Sequence, residues 1–191
     1  SLEEETQEIQ QDFKYPVFGD AFVHLAIQLI LDLDDGEAMD ACDIGIGGKE
    51  WGIDAFYIDE DKKIVYVFQG KTTEKEKKFN EKIIDDTKRT YDFLTQELYN
   101  KVPLKENLKQ FIERYKIAKQ KGYRIATLLI LLGEVNEDGR KAIEAFKENV
   151  IKQRTGFSFD FYDIKALSDL YLQRFLPYTP KGPDVEVSLL E

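Results

Sequence analysis

The fold turns on the stretch GIDAFYIDEDKKIVYVFQGK, residues 52–71. Residues 53–58 and 63–68 are rich in Ile, Val, Phe and Tyr, and the four residues between them, Asp59, Glu60, Asp61 and Lys62, are polar. Two β-favouring runs around a short polar loop predict an antiparallel hairpin. With Ile58 and Lys63 as the pair flanking the loop, Asp54 falls opposite Val67. Side chains alternate along a strand, so Val67, Gln69 and Lys71 occupy one face, and this register adds Asp54 to it. An acid, an amide and an amine then meet at the open end of one hairpin. A slip of one residue would send them to opposite faces.

Both strands carry apolar residues on both faces, Ile53 and Phe56 on the first, Ile64 and Val67 on the second. Neither face can be left to water, so a three-layer α/β/α arrangement follows, a central mixed sheet with helices on each side. The rest of the chain supplies those helices. Beyond Pro16, residues 17–33 are apolar nearly all round and predict a buried helix across the sheet. Its polar members, Asp20 and His24, lie one turn apart, and His24, the only histidine, is expected to be structural. Residues 38–46 are expected to hold a short first strand. Gly45, Gly47 and Gly48 then form a turn, because G-I-G-G matches no phosphate-binding fingerprint. Trp51 is expected to cover one end of the sheet, with stacking on a base as the open alternative.

After the hairpin, Phe79, Ile83, Thr87, Tyr91, Leu94 and Leu98 recur at helical spacing. Leu104, Leu108, Phe111, Tyr115 and Ala118 do so again beyond Pro103. Residues 123–132 form a near-continuous apolar run, as in a strand covered on both faces. A helix over 137–154, a strand over 157–162 and a last helix capped by Asp163 complete the expected order. The predicted sheet therefore contains 53–58, 64–69, 123–132 and 157–162.

At 191 residues, with 42% hydrophobic and 34% charged, the chain reads as one globular domain rather than a disordered segment. Residues 1–14 are expected as a polar arm, helical or disordered, 15–176 as the domain, and 177–191 as a proline-punctuated linker. A strand-like pattern restarts at Val185, as in a fragment of a longer protein, and the chain starts at Ser1 rather than Met, as an expression scar would leave it. The single cysteine, Cys42, excludes an internal disulfide and a cysteine-cluster zinc site. It fits a reducing, cytoplasmic setting, and the longest apolar run, 125–132, is too short to span a bilayer. A net charge of −10 counts against a simple nucleic-acid binder. Locally the balance differs, since residues 71–89 hold seven basic side chains against five acidic ones.

Asp54, a hairpin, then Gln69-x-Lys71 resembles the P-D…(D/E)-x-K nuclease superfamily in its Q-x-K form, as in Mrr-type restriction endonucleases. With Gly-Ile-Asp-Ala-Phe-Tyr-Ile-Asp before the loop and Phe-Gln-Gly-Lys after it, the stretch is similar to the N-terminal region of abortive-infection phage-resistance (AIPR) proteins. The resemblance implies a restriction endonuclease-like fold and metal-dependent hydrolysis of nucleic-acid phosphodiesters in phage defence. It assigns Asp54, Gln69 and Lys71 to catalysis. Asp54, the side-chain carbonyl of Gln69 and the carbonyl of Gly70 are the implied ligands of Mg²⁺ or Mn²⁺, and Lys71 steadies the phosphate charge or orients the attacking water. Superfamily members often carry an acid on the first helix; Val23 holds that slot here, with Asp20 as its substitute. Two further readings stand beside the nuclease: the same fold without strong catalysis, binding nucleic acid or protein, and an interaction domain whose acidic surface meets a basic partner. Implied partners are nucleic acid, DNA ahead of RNA, further domains of a longer chain, and a second copy as a homodimer, with no membrane.

Overall fold

The computed structural model describes residues 1–45, 51–74 and 76–175. Gly47 and Gly48, the expected turn, and the segment after Pro177 lie outside the described residues. In chain order the helices are α1 (Leu2–Asp12), α2 (Phe18–Leu31), α3 (Asp35–Cys42), α4 (Asp85–Thr95), α5 (Glu106–Gln120), α6 (Glu137–Asn149) and α7 (Ile164–Phe175). The strands are β1 (Ala55–Asp59), β2 (Ile64–Thr72), β3 (Lys78–Phe79), β4 (Arg124–Leu132), β5 (Glu134–Val135) and β6 (Phe157–Tyr162).

The hairpin forms, but its loop comes one residue later than expected. Its pairs include Ile58 with Val65 and Phe56 with Val67, so Asp54 does not lie opposite Val67. The loop is Glu60 to Lys63. Asp59 Oδ1 accepts the Lys62 N–H at 2.9 Å, and Lys63 turns at a left-handed φ of 58°. That side-chain bond closes the turn from a residue still in the strand, which the alternation of apolar residues alone does not reveal. The register shift is even, so the strand faces themselves survive.

The main sheet has the order β1-β2-β4-β6, with β1 antiparallel to β2 and β2, β4 and β6 mutually parallel. Crossovers through α4 and α5, then through α6, make the parallel pairings possible. Helices cover both faces, as the two-faced hairpin requires. On one face Ala55, Phe68, Leu128 and Ile130 pack against α2 and its neighbours. On the other, Val65, Val67 and Ile125 meet Phe93, Leu94, Phe111 and Tyr115, while Leu129, Leu131 and Phe159 meet Ile143 and Phe146.

Several boundaries differ from expectation for local reasons. In place of the strand expected over 38–46, α3 runs to Cys42 and a 3₁₀ turn follows over Asp43–Gly45, residue 46 lying outside the described residues. Asp34 Oδ1 accepts the Glu37 N–H at 2.8 Å and Glu37 Oε1 accepts the Asp34 N–H at 3.2 Å, a capping box, and Ala38, Ala41 and Cys42 bury one helical face. The arm is α1, opened by a Ser1–Glu4 capping box and docked through Leu2, Thr6 and Ile9. Phe79 belongs to β3 rather than to a helix, so α4 starts only at Asp85, after a 3₁₀ turn over Glu81–Ile84. The helix expected over 137–154 ends at Asn149, followed by a 3₁₀ turn. Among the described residues, no helix is long and apolar enough to cross a membrane.

His24 is structural. It is fully buried, with Nδ1 2.8 Å from the Tyr15 hydroxyl and Nε2 3.1 Å from Asp35 Oδ1. An ionised Asp35 only accepts, so Nε2 carries the proton, Nδ1 accepts, and Tyr15 donates. Burial holds the imidazole pKa below its ordinary value, against the opposing pull of Asp35. The unfolded chain therefore takes up the proton first as pH falls through about 6.5, and stability declines on the acid side. His24→Ala is expected to cost about 2–5 kcal/mol near pH 8. Urea midpoints should also show a smaller decline from pH 7.5 to pH 5.5 for the variant than for the parent; an equal decline would place the titration elsewhere.

Candidate active site

Asp54 precedes β1 at the point where the ladder loses its alternation. Ala55 stands opposite Phe68, yet the Asp54 N–H donates to that same Phe68 carbonyl at 2.9 Å. Ile53 and Phe56, three residues apart, both pack into the core beneath α4 and α5, which strict alternation forbids. One residue is out of step, in the manner of a bulge, and the irregularity re-aims Asp54. Its Oδ2 accepts the Gly70 N–H at 2.7 Å, and the residue is only 4% exposed. A charge-assisted bond to a main-chain amide is what makes such burial tolerable. Asp54 therefore does not share the face of Gln69 and Lys71, as the expected register had it. It is tied to the residue between them.

Gln69 and Lys71 point towards α4. Gln69 is 6% exposed and its Oε1 accepts from Thr87 Oγ1 at 2.8 Å. Lys71 Nζ is ion-paired with Asp86 Oδ2, the two side chains 37% and 31% exposed. Arg89 Nη1 lies 3.3 Å from Asp86 Oδ1, and its guanidinium stands 5.8 Å over the Trp51 ring. Trp51 in turn stacks on Phe93, ring centroids 4.8 Å apart, and covers that end of the sheet. Gly52 has a φ of 73°, and a Cβ there would lie 2.6 Å from Thr90 Oγ1 and 3.0 Å from Gln69 Nε2. Glycine alone lets the chain pass between α4 and Gln69.

The opposite side of Gly70 faces α2. A Cβ at Gly70 would lie 2.6 Å from Val23 Cγ2 and 3.8 Å from Asp54 Oδ2, so Val23 of α2 packs directly against Gly70. Asp20 sits one turn earlier on α2. Burial, and then the charges of Asp20 and Asp54, push the Cys42 thiol well above its ordinary range. The two carboxylates thus share the neighbourhood of Cys42 on the α2 side. Gly70→Ala is expected to wedge α2 from β2, at a cost of about 1–3 kcal/mol. In a double-mutant cycle read by urea unfolding, Val23→Ala should recover most of that loss. A cost insensitive to Val23 would mean that the close approach is not its cause.

The structure thus gathers Asp54, Gln69 and Lys71 around Gly70, with Asp20 beyond Val23. Sequence reasoning missed the α4 contribution of Asp86, Thr87 and Arg89. One signal was available: Thr87, Thr90, Tyr91 and Leu94 bury one stripe of α4, which puts Asp86 at its edge, facing the hairpin. Among the described residues, no group of three or more His, Cys, Asp or Glu side chains is arranged to hold a metal ion. Asp54, Gln69 and the Gly70 main chain offer oxygen donors alone, with one carboxylate among them, Asp54 bonded to the Gly70 amide and Gln69 turned to Thr87 of α4. That composition fits Mg²⁺, which commonly takes one or two carboxylates and completes its shell with water and substrate phosphate. Comparisons with family models, with curated proteins and with solved structures gave no match.

Proposed function

We propose that this chain is a nuclease domain that hydrolyses nucleic-acid phosphodiesters with Mg²⁺ or Mn²⁺, DNA ahead of RNA, in bacterial phage defence. The observation that carries the proposal is the bond from the Gly70 amide to the buried Asp54 carboxylate, which joins the acid of one strand to the Gln69-x-Lys71 run of the next. The sequence of elements supports a restriction endonuclease-like fold: a helix crossing the sheet, an antiparallel hairpin bearing the acid and the lysine, then a crossover into parallel strands. Asp54 would be the principal ligand, and the Gln69 amide oxygen and the Gly70 carbonyl the further oxygens that the resemblance assigns. A bound divalent cation would polarise a phosphoryl oxygen and favour ionisation of a bound water. Lys71 contributes a positive charge to the crowded phosphate of the transition state. Asp86 holds that ammonium in place, and Asp20 supplies a second carboxylate from α2.

A second reading has its own support. Val23 occupies the helix slot, Asp86 neutralises Lys71, and Thr87 occupies one lone pair of Gln69. These favour a nuclease-like domain that binds nucleic acid or protein without cutting. Supercoiled plasmid, single-stranded DNA and RNA, each incubated with Mg²⁺, with Mn²⁺ and with EDTA, separate the two. Cleavage that needs the cation supports the nuclease. Salt-sensitive retention of nucleic acid with no cleavage in any arm supports the non-cutting domain.

A further inference from the structure

A second site lies on the α2 face of the sheet, beyond the C-terminal end of that helix. A groove of about 400 Å³ opens there, floored by Tyr57, Tyr66 and Tyr162 and edged by Asp32, Asp59 and Asp160. The pleat explains it. Tyr57 pairs with Tyr66, Tyr66 with Ala126, and Ala126 with Ser158, so one row across the sheet runs from two large rings to two small side chains. The small residues leave a trough beside the rings, which α2, ending at Leu31, does not cover.

The chain segment that supplies most of the helices on this face is strongly acidic. Residues 1–48 hold twelve acidic side chains against one lysine, a balance of −11, while the other 143 hold 25 acidic and 26 basic. Helices α1, α2 and α3 all belong to that first segment, and all lie on the trough's face of the sheet. Burial, then Glu37 and Asp59, raise the Tyr57 hydroxyl pKa; burial, then Asp160, raise that of Tyr162. The cations beside the trough include Lys62 in the wall, Arg174 3.0 Å from Asp32 and Lys147 3.3 Å from Asp160, and Arg124, two residues before Ala126 on β4, falls on the same face. Both ion pairs involve well-exposed carboxylates, so an incoming cation can join them.

We propose that this groove docks a lysine- or arginine-bearing polypeptide segment, its cationic side chains lying over the tyrosine rings and pairing with the aspartate rim. Tyrosine faces attract cations, and a carboxylate edge adds charge complementarity while repelling nucleic acid. The site is separate from Asp54, and its existence does not depend on the nuclease reading.

The test is fluorescence anisotropy of a labelled octapeptide of alternating Lys and Arg, with an octaglutamate control, titrated with the 191-residue protein at low and high salt. The basic peptide should bind, more weakly at high salt, and the acidic one should not. Asp160→Lys, an exposed change whose structural cost is the surface pair with Lys147, and Ala126→Phe, which fills the trough, should each weaken binding by about tenfold or more. Glu8→Lys, exposed on α1, should leave it nearly unchanged. An equal loss with Glu8→Lys would reduce the interaction to general attraction by the acidic layer and overturn the groove. Competition by methylguanidinium at the peptide's own concentration would mark a small-amine site instead, and absence of binding would remove the site altogether.

Discussion

Asp54→Asn is expected to lower phosphodiester cleavage by about a thousandfold or more, while the protein stays folded. The asparagine carbonyl can still accept the Gly70 N–H, now 2.7 Å from Asp54 Oδ2, so the tie between the strands survives. What is lost is the negative charge, and with it the one carboxylate bound to the Gly70 peptide. Metal-assisted charge stabilisation is worth several kcal/mol, and about 4 kcal/mol corresponds to roughly a thousandfold in rate. Lys71→Ala should act differently. It removes a cation paired with Asp86 and no ligand, so a loss of about 10²–10³ in rate is expected with metal binding retained. Single-turnover cleavage of labelled DNA, alongside circular dichroism of each variant, measures both. Asp54→Asn at parental activity would remove Asp54 from the chemistry.

Phe68→Ala is expected to cost about 3–5 kcal/mol, near the upper end for truncating a core side chain. Phe68 is fully buried at the centre of β2, beside Ala55 of β1 and Leu128 of β4, and packs in the core formed with α2. Its neighbour Val67 enters the opposite core, beneath α4 and α5. Val67→Ala should therefore be destabilising as well, by less because less volume is removed. Urea unfolding should show a lower midpoint for each with an unchanged slope. A near-neutral Val67→Ala would mean that one face of the hairpin is not packed.

The two-faced hairpin shows what the amino-acid order makes visible. Apolar residues on both faces of residues 53–68 demanded helices on each side, and β4 and β6 lie close to where apolar runs placed them. Hidden were the features set by side-chain bonds to the backbone. Asp59 holding Lys62 moved the loop, and the Asp34–Glu37 box turned an expected strand into α3. At the proposed site, Asp54, Gln69 and Lys71 are candidates from a resemblance and from strand parity. Asp54 nevertheless leaves its expected face, because one irregular residue redirects it to the Gly70 amide. The pairing of Asp86 was hidden for another reason. The α4 stripe puts Asp86 at a helix edge, but its partner, Lys71, lies fifteen residues earlier at the end of β2, and no period in the sequence pairs the two.

Calorimetric titration of Mn²⁺ into the parent and into Asp54→Asn tests the metal site without requiring turnover. One site per chain in the parent is predicted, with affinity lost by at least about tenfold in the variant. Equal affinity in the two proteins would contradict the assignment and put the cation elsewhere, and no binding to the parent would leave the domain without the metal centre proposed for it.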